Sequence, residues 1–419
     1  MAKITNVEFL NQIKAMNPVI SSVVPNVTES NIDDVYAMVL NNSEIANQFI
    51  NTLVNVIAVQ KSETSDFSQP FKMFKRGFLP MGATYEEVYV DVATEINQDI
   101  LDPESALGKY VSDIGSSYHT INRDNGVFAG TISYLLLRRA FKSEYGMSEL
   151  ATNIIKSLYQ GDEKVEYNIF KSLLTSTTIK RSGLPVQVTN PVGAPDQEAT
   201  AKQFVQTLRE YSNLMTFLRN DFNYAMVDAN SPKERQCLII SAALEAVIGV
   251  EVLAYAFNMS QVDYMMKRIL VDDFGEDSTI LAMLVDDRFF IQYDTTYMTN
   301  TQYNSLKNWW NYFLHHYGIY STSLFANAVV FQTNAATTAL TITGASTGTR
   351  GGTVQLDVSA TGYAAHKWSV SGNTSKNTFI NMNGLLTIAS DETASSLTVT
   401  ASIPTLMTGS GDTHTVTIS

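Results

Sequence analysis

A single cysteine, Cys237, stands among 419 residues, and it lies in the apolar run Cys237-Leu238-Ile239-Ile240. An intrachain disulfide is excluded, and the thiol reads as a small buried core group. Charge is scarce too, at 16% of residues, so part of the surface is expected to be covered by partners. Basic residues are the scarcer kind, 28 against 41 acidic, which leaves a net charge of −13. That balance argues against a surface that grips nucleic acid by neutralising phosphates. Motifs for phosphate, zinc, redox or calcium chemistry (GxxxxGK(S/T), HExxH, CxxC, the EF-hand loop) do not occur. The N-terminus, Met1-Ala2-Lys3-Ile4-Thr5-Asn6, has no basic region leading into an apolar stretch, so no secretory signal is expected. The most apolar run, Cys237 to Phe257, is interrupted by Glu245 and Glu251 and divided by Gly249. It reads as a buried strand entering a helix, not as a membrane span.

Residues that could carry chemistry fit blander roles. Gly344-Ala345-Ser346-Thr347-Gly348 spells GxSxG, but a nucleophile elbow needs a strand before it and a helix after it, and this stretch lies in a Thr-rich loop. His315 and His316 are adjacent, so on a helix they would point about 100° apart and could not clamp one metal; aromatic neighbours favour a core or interface role. His119 stands alone. Asp272-Asp273 and Asp286-Asp287 read as solvated turns beside apolar strands. The expectation is a non-enzymatic protein with no catalytic, cofactor-binding or metal-binding residues and no cofactor.

A hydrophobic fraction of 45% supports a sizeable core and two or three domains. Residues 1–66 read as a polar, partly helical arm with an apolar stripe that needs a surface to lie on. Phe71-Lys72-Met73-Phe74-Lys75 alternates as a strand does, Gly77, Pro80 and Gly82 punctuate it, and Val88, Val90 and Val92 alternate further on. These features predict two extended arms around a bend, a long hairpin. Over 148–174, Leu150, Ile154, Leu158, Val165, Ile169 and Leu173 share one helical face behind a Ser148 N-cap. That helix would run roughly 40 Å, with a kink possible at Gly161-Asp162. Glu198–Asn223 is a second helix, Gln236–Ser241 a buried strand, Val250–Phe257 a short helix and Ile280–Tyr293 a strand pair. Beyond Gln332 Thr, Ser and Gly dominate, and about six or seven short alternating runs suggest an Ig-like β-sandwich with Trp368 as an anchor. The mixed order before it is α+β.

The stretch Phe74-Lys75-Arg76-Gly77-Phe78-Leu79-Pro80-Met81-Gly82-Ala83-Thr84-Tyr85-Glu86-Glu87-Val88-Tyr89 resembles the major capsid proteins of small short-tailed phages of the Bacillus podovirus type. Three further stretches agree in order: Leu253–Met259, Leu284–Asp294 and Ser323–Phe331. His366-Lys367-Trp368-Ser369-Val370 with Asn383-Gly384-Leu385-Leu386 is similar to that family's C-terminal bacterial Ig-like domain of group 2 type. The resemblance implies an HK97-like capsid fold: arm 1–66, extended loop 67–100, peripheral domain 101–179 with spine helix 148–174, a mainly axial domain over 180–290, a return to the peripheral domain over 291–332, and an Ig-like domain over 333–419. It also implies a shell, icosahedral or prolate, built from hexameric and pentameric capsomers of this chain. Scaffolding protein and portal would be partners, and double-stranded DNA would be enclosed without sequence-specific contact. The virion is the implied location, after assembly in the host cytoplasm and with no membrane association. Lys72, Phe74, Lys75, Arg76 and Pro80 are the expected inter-subunit contact, with the three cations meeting an acidic neighbour. A surface-adhesion protein carrying an Ig-like module is the competing reading; it would need an export signal and an anchor.

Overall fold

The structure is a computed structural model, and it describes residues 5–42, 44–46, 48–49, 52, 68–80, 82–90, 92–93, 114–133, 135, 139, 146–175, 183–256, 267–275, 279–334 and 337–419. Much of the second half of the expected arm, residues 94–100 of the expected loop and part of the Leu253–Met259 stretch lie outside them.

In the body, up to residue 334, the strands are β1 (Lys75–Phe78), β2 (Tyr85–Val90), β3 (Ile114–His119), β4 (Val127–Ser133), β5 (Leu184–Gln187), β6 (Gln236–Ser241), β7 (Lys267–Val271), β8 (Ile280–Asp286), β9 (Phe290–Asn304), β10 (Trp309–Thr322) and β11 (Ala328–Gln332). The helices are α1 (Asn6–Met16), α2 (Pro18–Val23), α3 (Ile32–Asn41), α4 (Gly146–Thr175), α5 (Gln197–Leu214) and α6 (Ala242–Ala256).

One sheet has the order β5-β11-β8-β6-β7. Its strands read as nearly unbroken apolar runs because both faces are covered, and β8 is buried from end to end. The period of two still sorts the side chains. Leu238, Ile240, Ala282, Leu284, Val329 and Phe331 face α5 and α6. Cys237, Ile239, Met283, Val285, Ala328 and Val330 face the end of α4. Each fully buried Leu, Ile or Phe here contributes about 1.5–3 kcal/mol relative to exposure. The Gln236–Ser241 strand matches the sequence expectation; the helix after it begins at Ala242, ahead of the expected Val250, and Gly249, at φ 68°, breaks it. Among the described residues no helix is long and apolar enough to cross a membrane. The second expected helix stops at Leu214, and Leu218 is exposed where its stripe would bury it.

A second body sheet has the order β1-β9-β10-β4 and is dominated by the long β9–β10 hairpin. α1, α2 and α3 lie on this side of the body, where Phe9, Leu10, Ile13, Val35 and Val39 share a core with Leu158, Tyr159, Trp310, Tyr312 and Leu314. The arm's apolar stripe therefore finds its surface within the same chain. Thr5 and Glu8 close α1 with a reciprocal capping box.

From Thr337 onward two sheets enclose one aliphatic core, which includes Leu340, Ile342, Leu356, Leu386, Leu397, Val399, Val416 and Ile418. This sandwich is seated on the body. Tyr363 is buried there and meets Tyr224 edge-on at 6.3 Å, and the Thr405 backbone N–H and hydroxyl each donate to Asp221 at 2.7 Å.

Candidate functional site

α4 is a continuous 30-residue helix, about 45 Å long at 1.5 Å per residue. The expected kink at Gly161-Asp162 is absent, and the buried face differs from the expected one. Val165 is exposed, and Ile169 and Leu173 are only partly buried. The buried row is Leu158, Asp162, Glu166, Phe170 and Leu174 at steps of four, the i, i+4 ridge of an α-helix. Two carboxylates thus sit in the middle of a core-facing stripe, which hides it from any search for apolar periodicity.

β9, β10 and the segment before β4 bring partners to these acids. Arg123 Nη2 donates to Asp162 at 2.8 Å, and its Nη1 donates to the Tyr320 hydroxyl at 3.2 Å. His316 Nδ1 lies 2.8 Å from Asp162 Oδ1, and its Nε2 lies 3.0 Å from Asp294 Oδ1. Tyr320 donates to Glu166 at 2.8 Å, and Gln69 Nε2 donates to the same carboxylate at 2.7 Å. Lys75 closes the set by pairing with Asp294. Arg123, Asp162, Glu166, Asp294 and His316 are each at most 6% exposed. Burial alone would depress the imidazolium, but both ring nitrogens face carboxylates, and the hydrogen bonds that Asp162 and Asp294 accept from the ring raise the His316 pKa overall. Burial would likewise raise Asp162, and His316 with Arg123 reverses that, holding it below the usual carboxylate range. Three carboxylates then face two cations, Arg123 and Lys75, and the His316 ring, whose charged form they favour.

Asp162, Glu166 and His316 offer ligand atoms within 4.8 Å of one another. The Arg123 guanidinium already donates into that space, so the charge is balanced by side chains. The arrangement ties α4, β1, β9 and β10 to one another with directional bonds and presents no nucleophile beside a base. His316 is on a strand rather than a helix. Its neighbour His315 therefore points to the other face, beside the Tyr317 hydroxyl at 3.1 Å. His119 is buried as well, 2.9 Å from the Ser321 hydroxyl.

The five expected contact residues lie at the base of the same region. Pro70–Phe74 is a 3-10 helix where alternation predicts a strand, and it buries Phe71 and Phe74 against Phe170 and Phe290. Lys72 is exposed and pairs with Glu163; Lys75 is partnered as above. Arg76 donates to the Arg288 carbonyl at 2.6 Å and to the Tyr85 hydroxyl at 3.2 Å. Pro80 is exposed. The two arms do not pair with each other. β1 runs parallel to β9, while β2 forms an antiparallel ribbon with β3, from Tyr85↔His119 to Val90↔Ile114. One face of that ribbon packs on the body: Tyr89 donates to the Asp228 carbonyl at 2.9 Å, and buried Gly115 lies under Met382 of the sandwich. The other face exposes Val88, Val90, Ile114 and Tyr118.

Asp272 and Asp273 are solvated as expected and hold Lys171. Asp286 is not solvated. It is 1% exposed, takes a hydrogen bond from Ser231 at 2.6 Å and pairs with Arg235. β8 carries it inward, and the Arg235 and Ser231 bonds offset burial and keep its carboxyl low.

The family model described as Phi29-like phage major capsid protein matches residues 10–332. The major capsid protein of Bacillus phage PZA is 31% identical over 392 residues, covering 91% of this chain and 86% of that one. The major capsid protein of Bacillus phage B103 is 30% identical over 391 residues, with the same coverage. Among solved structures, a chain of the Staphylococcus phage Andhra capsid superposes with a TM-score of 0.53 at 10% identity, covering 64% of this chain and 85% of its own.

Proposed function

The chain belongs to the Phi29-like phage major capsid protein family, and from that premise we propose how it builds a shell. As a major capsid protein it assembles with copies of itself; the proposed product is an icosahedral or prolate shell of hexameric and pentameric capsomers around double-stranded DNA. The observation that carries this reading is the β2–β3 ribbon. A two-stranded ribbon has too little core to stand alone, and its outer face leaves Val88, Val90, Ile114 and Tyr118 in water. Copies that cover this face gain the apolar burial that one chain leaves unmade. The virion is the proposed place of action after assembly in the host cytoplasm, with scaffolding protein and portal as further partners. No catalysis and no cofactor enter this reading.

The proposed layout is HK97-like, with 67–100 as the extended loop, α4 as the spine helix and 333–419 as an Ig-like domain on the outer surface. Within it, Lys72 and Pro80 meet the neighbouring subunit, while Phe74, Lys75 and Arg76 hold the loop's base in its own subunit. Sedimentation and negative-stain electron microscopy of the purified chain, alone and with a candidate scaffold, test the reading. Rings, tubes or shells are expected; a strictly monomeric species under both conditions would overturn it. Lys72→Glu tests the contact, which is wrong if closed shells form as before.

A further inference from the structure

Several partly buried cations of the body hold carboxylates: Lys75 holds Asp294, Lys171 holds Asp272 and Asp273, Arg219 holds Asp221, Arg235 holds Asp286 and Arg268 holds Glu245. Lys14 and Arg76 stand apart from one another on neutral oxygens, whereas Lys233 and Arg209 come together with no carboxylate between them. Lys233 begins the short 3-10 turn Lys233–Arg235 ahead of β6, and Arg209 lies on α5. Both are partly buried, and among the described residues neither has a carboxylate within ion-pair distance. The Lys233 ammonium is held in place. It donates to the Ser212 hydroxyl at 2.6 Å; Ser212 is fully buried and donates in turn to Gln236 Oε1 at 2.5 Å. Burial first, and then the neighbouring positive charge of Arg209, lowers the lysine to about 8, with no acidic group opposing them.

Arg209 lies three residues before Ser212 on α5, one helical turn away, so the ammonium fixed on Ser212 and this guanidinium, both partly dehydrated and without an anion, make an incomplete ion pair. Leaving it so costs the monomer stability, and an incoming carboxylate recovers that cost. The chain supplies the complement, since each copy carries 41 acidic against 28 basic residues. We propose that Lys233 and Arg209 form a carboxylate-accepting site for a second copy of this chain, completed only on assembly. The proposal rests on the capsid reading above and deepens it by assigning two residues to a subunit contact.

The test uses the full chain with Lys233→Gln and, separately, Arg209→Gln, under conditions in which the wild-type chain forms rings, tubes or shells. Formation of those species by the wild type first establishes the capsid reading by itself. Each variant is then expected to keep or raise the thermal midpoint of the unassembled chain, because an uncompensated charge has gone. Each should also raise the concentration needed for assembly by about tenfold or more, as loss of one partner of a desolvated pair does. Ser212→Ala, which frees the lysine, should give a smaller shift in the same direction. Assembly of both Gln variants at the wild-type concentration overturns the proposal. So does a second outcome, in which inorganic phosphate raises the wild-type midpoint but not that of Lys233→Gln while assembly is unchanged; the site would then serve a free anion. A Gln variant that lowers the midpoint would show that the cations already have a partner within the chain, which also overturns it.

Discussion

The body and the C-terminal sandwich are both rich in strands, yet they solve the problem of a buried polar group differently. The sandwich core is aliphatic, and its buried carboxylate Glu392 is satisfied by neutral donors. The Thr374 and Thr378 hydroxyls and the Thr374 and Ala394 backbone N–H groups hold it well below the usual carboxylate range. The body instead gathers Arg123, Lys75 and His316 against three carboxylates where α4, β1, β9 and β10 meet. Dehydrating that many charges offsets most of what their attraction returns. What the cluster adds is direction: each bond has one acceptable geometry, so the long helix, the β9–β10 hairpin and β1 hold one mutual orientation. An aliphatic core tolerates small rotations that such a network does not.

Four changes would break or sharpen this contrast. The largest effect is expected for Asp162→Ala, which strands Arg123 and His316 without their shared carboxylate and should cost the body about 3–5 kcal/mol. Urea unfolding followed through Trp309 and Trp310, in a Trp368→Phe background, measures it; a loss under about 1 kcal/mol would show that solvent replaces the lost partner. Next comes Leu386→Ala, a cavity in the sandwich, expected to cost about 2–4 kcal/mol. Fluorescence from Trp368 should register that loss while the body transition stays in place, and a matching drop in the body would mean the two regions unfold as one.

The third is a difference in pH dependence. His316 has a raised folded pKa, so its contribution is complete below the unfolded value of about 6.5 and is lost as pH rises through the folded value, by at most about 1.4 kcal/mol per pH unit. In the sandwich, His366 is lowered by burial, so its effect runs the other way and stability falls as pH drops below about 6.5. Unfolding midpoints of the body and sandwich, measured from pH 6 upward, should diverge, and His316→Gln should remove the body's slope. Parallel slopes in the two regions would argue against a charged His316. The smallest effect is at their junction. A Cβ on Gly115 would come 2.6 Å from Met382 Sδ, the flexible end of a side chain, so Gly115→Ala should cost only about 1 kcal/mol. Faster amide exchange over Ile114–His119 would register it, and unchanged exchange would mean the sandwich does not restrain the ribbon.

The contrast also governs what could be read in advance. The sandwich strands are legible because their burial alternates with a period of two, β6 because its run is apolar on both faces, and the extent of the long helix because apolar residues recur along it at helical spacing. Phe71 and Phe74 mislead for a geometric reason: residues three apart share a face on a 3-10 helix, while Lys72 and Lys75, alternating with Phe71, Met73 and Phe74, imitate a strand. The helix face is hidden in the sequence because Asp162 and Glu166 occupy its buried ridge. The cluster itself has no local signature, since its members run from Lys75 to His316 and only the fold assembles them. Asp286 reads as a turn residue in the sequence because its partners Ser231 and Arg235 are brought to it only by the pairing of β6 with β8.

The parallel contact of β1 with β9 has a consequence for how the chain is made. Lys75 is in register with Gln292, Arg123 bridges to Gly318, and β5 aligns with β11. On a ribosome none of these contacts can form until residues past 290 have emerged, so the body must wait, unfinished, for most of its own synthesis. The sandwich closes on partners all drawn from beyond Thr337. Contacts this distant make folding slow and leave apolar strands open to the wrong neighbour in the meantime. A shell needs many copies at once, so the interval between synthesis and closure of β1 onto β9 sets how much chaperone attention each subunit demands.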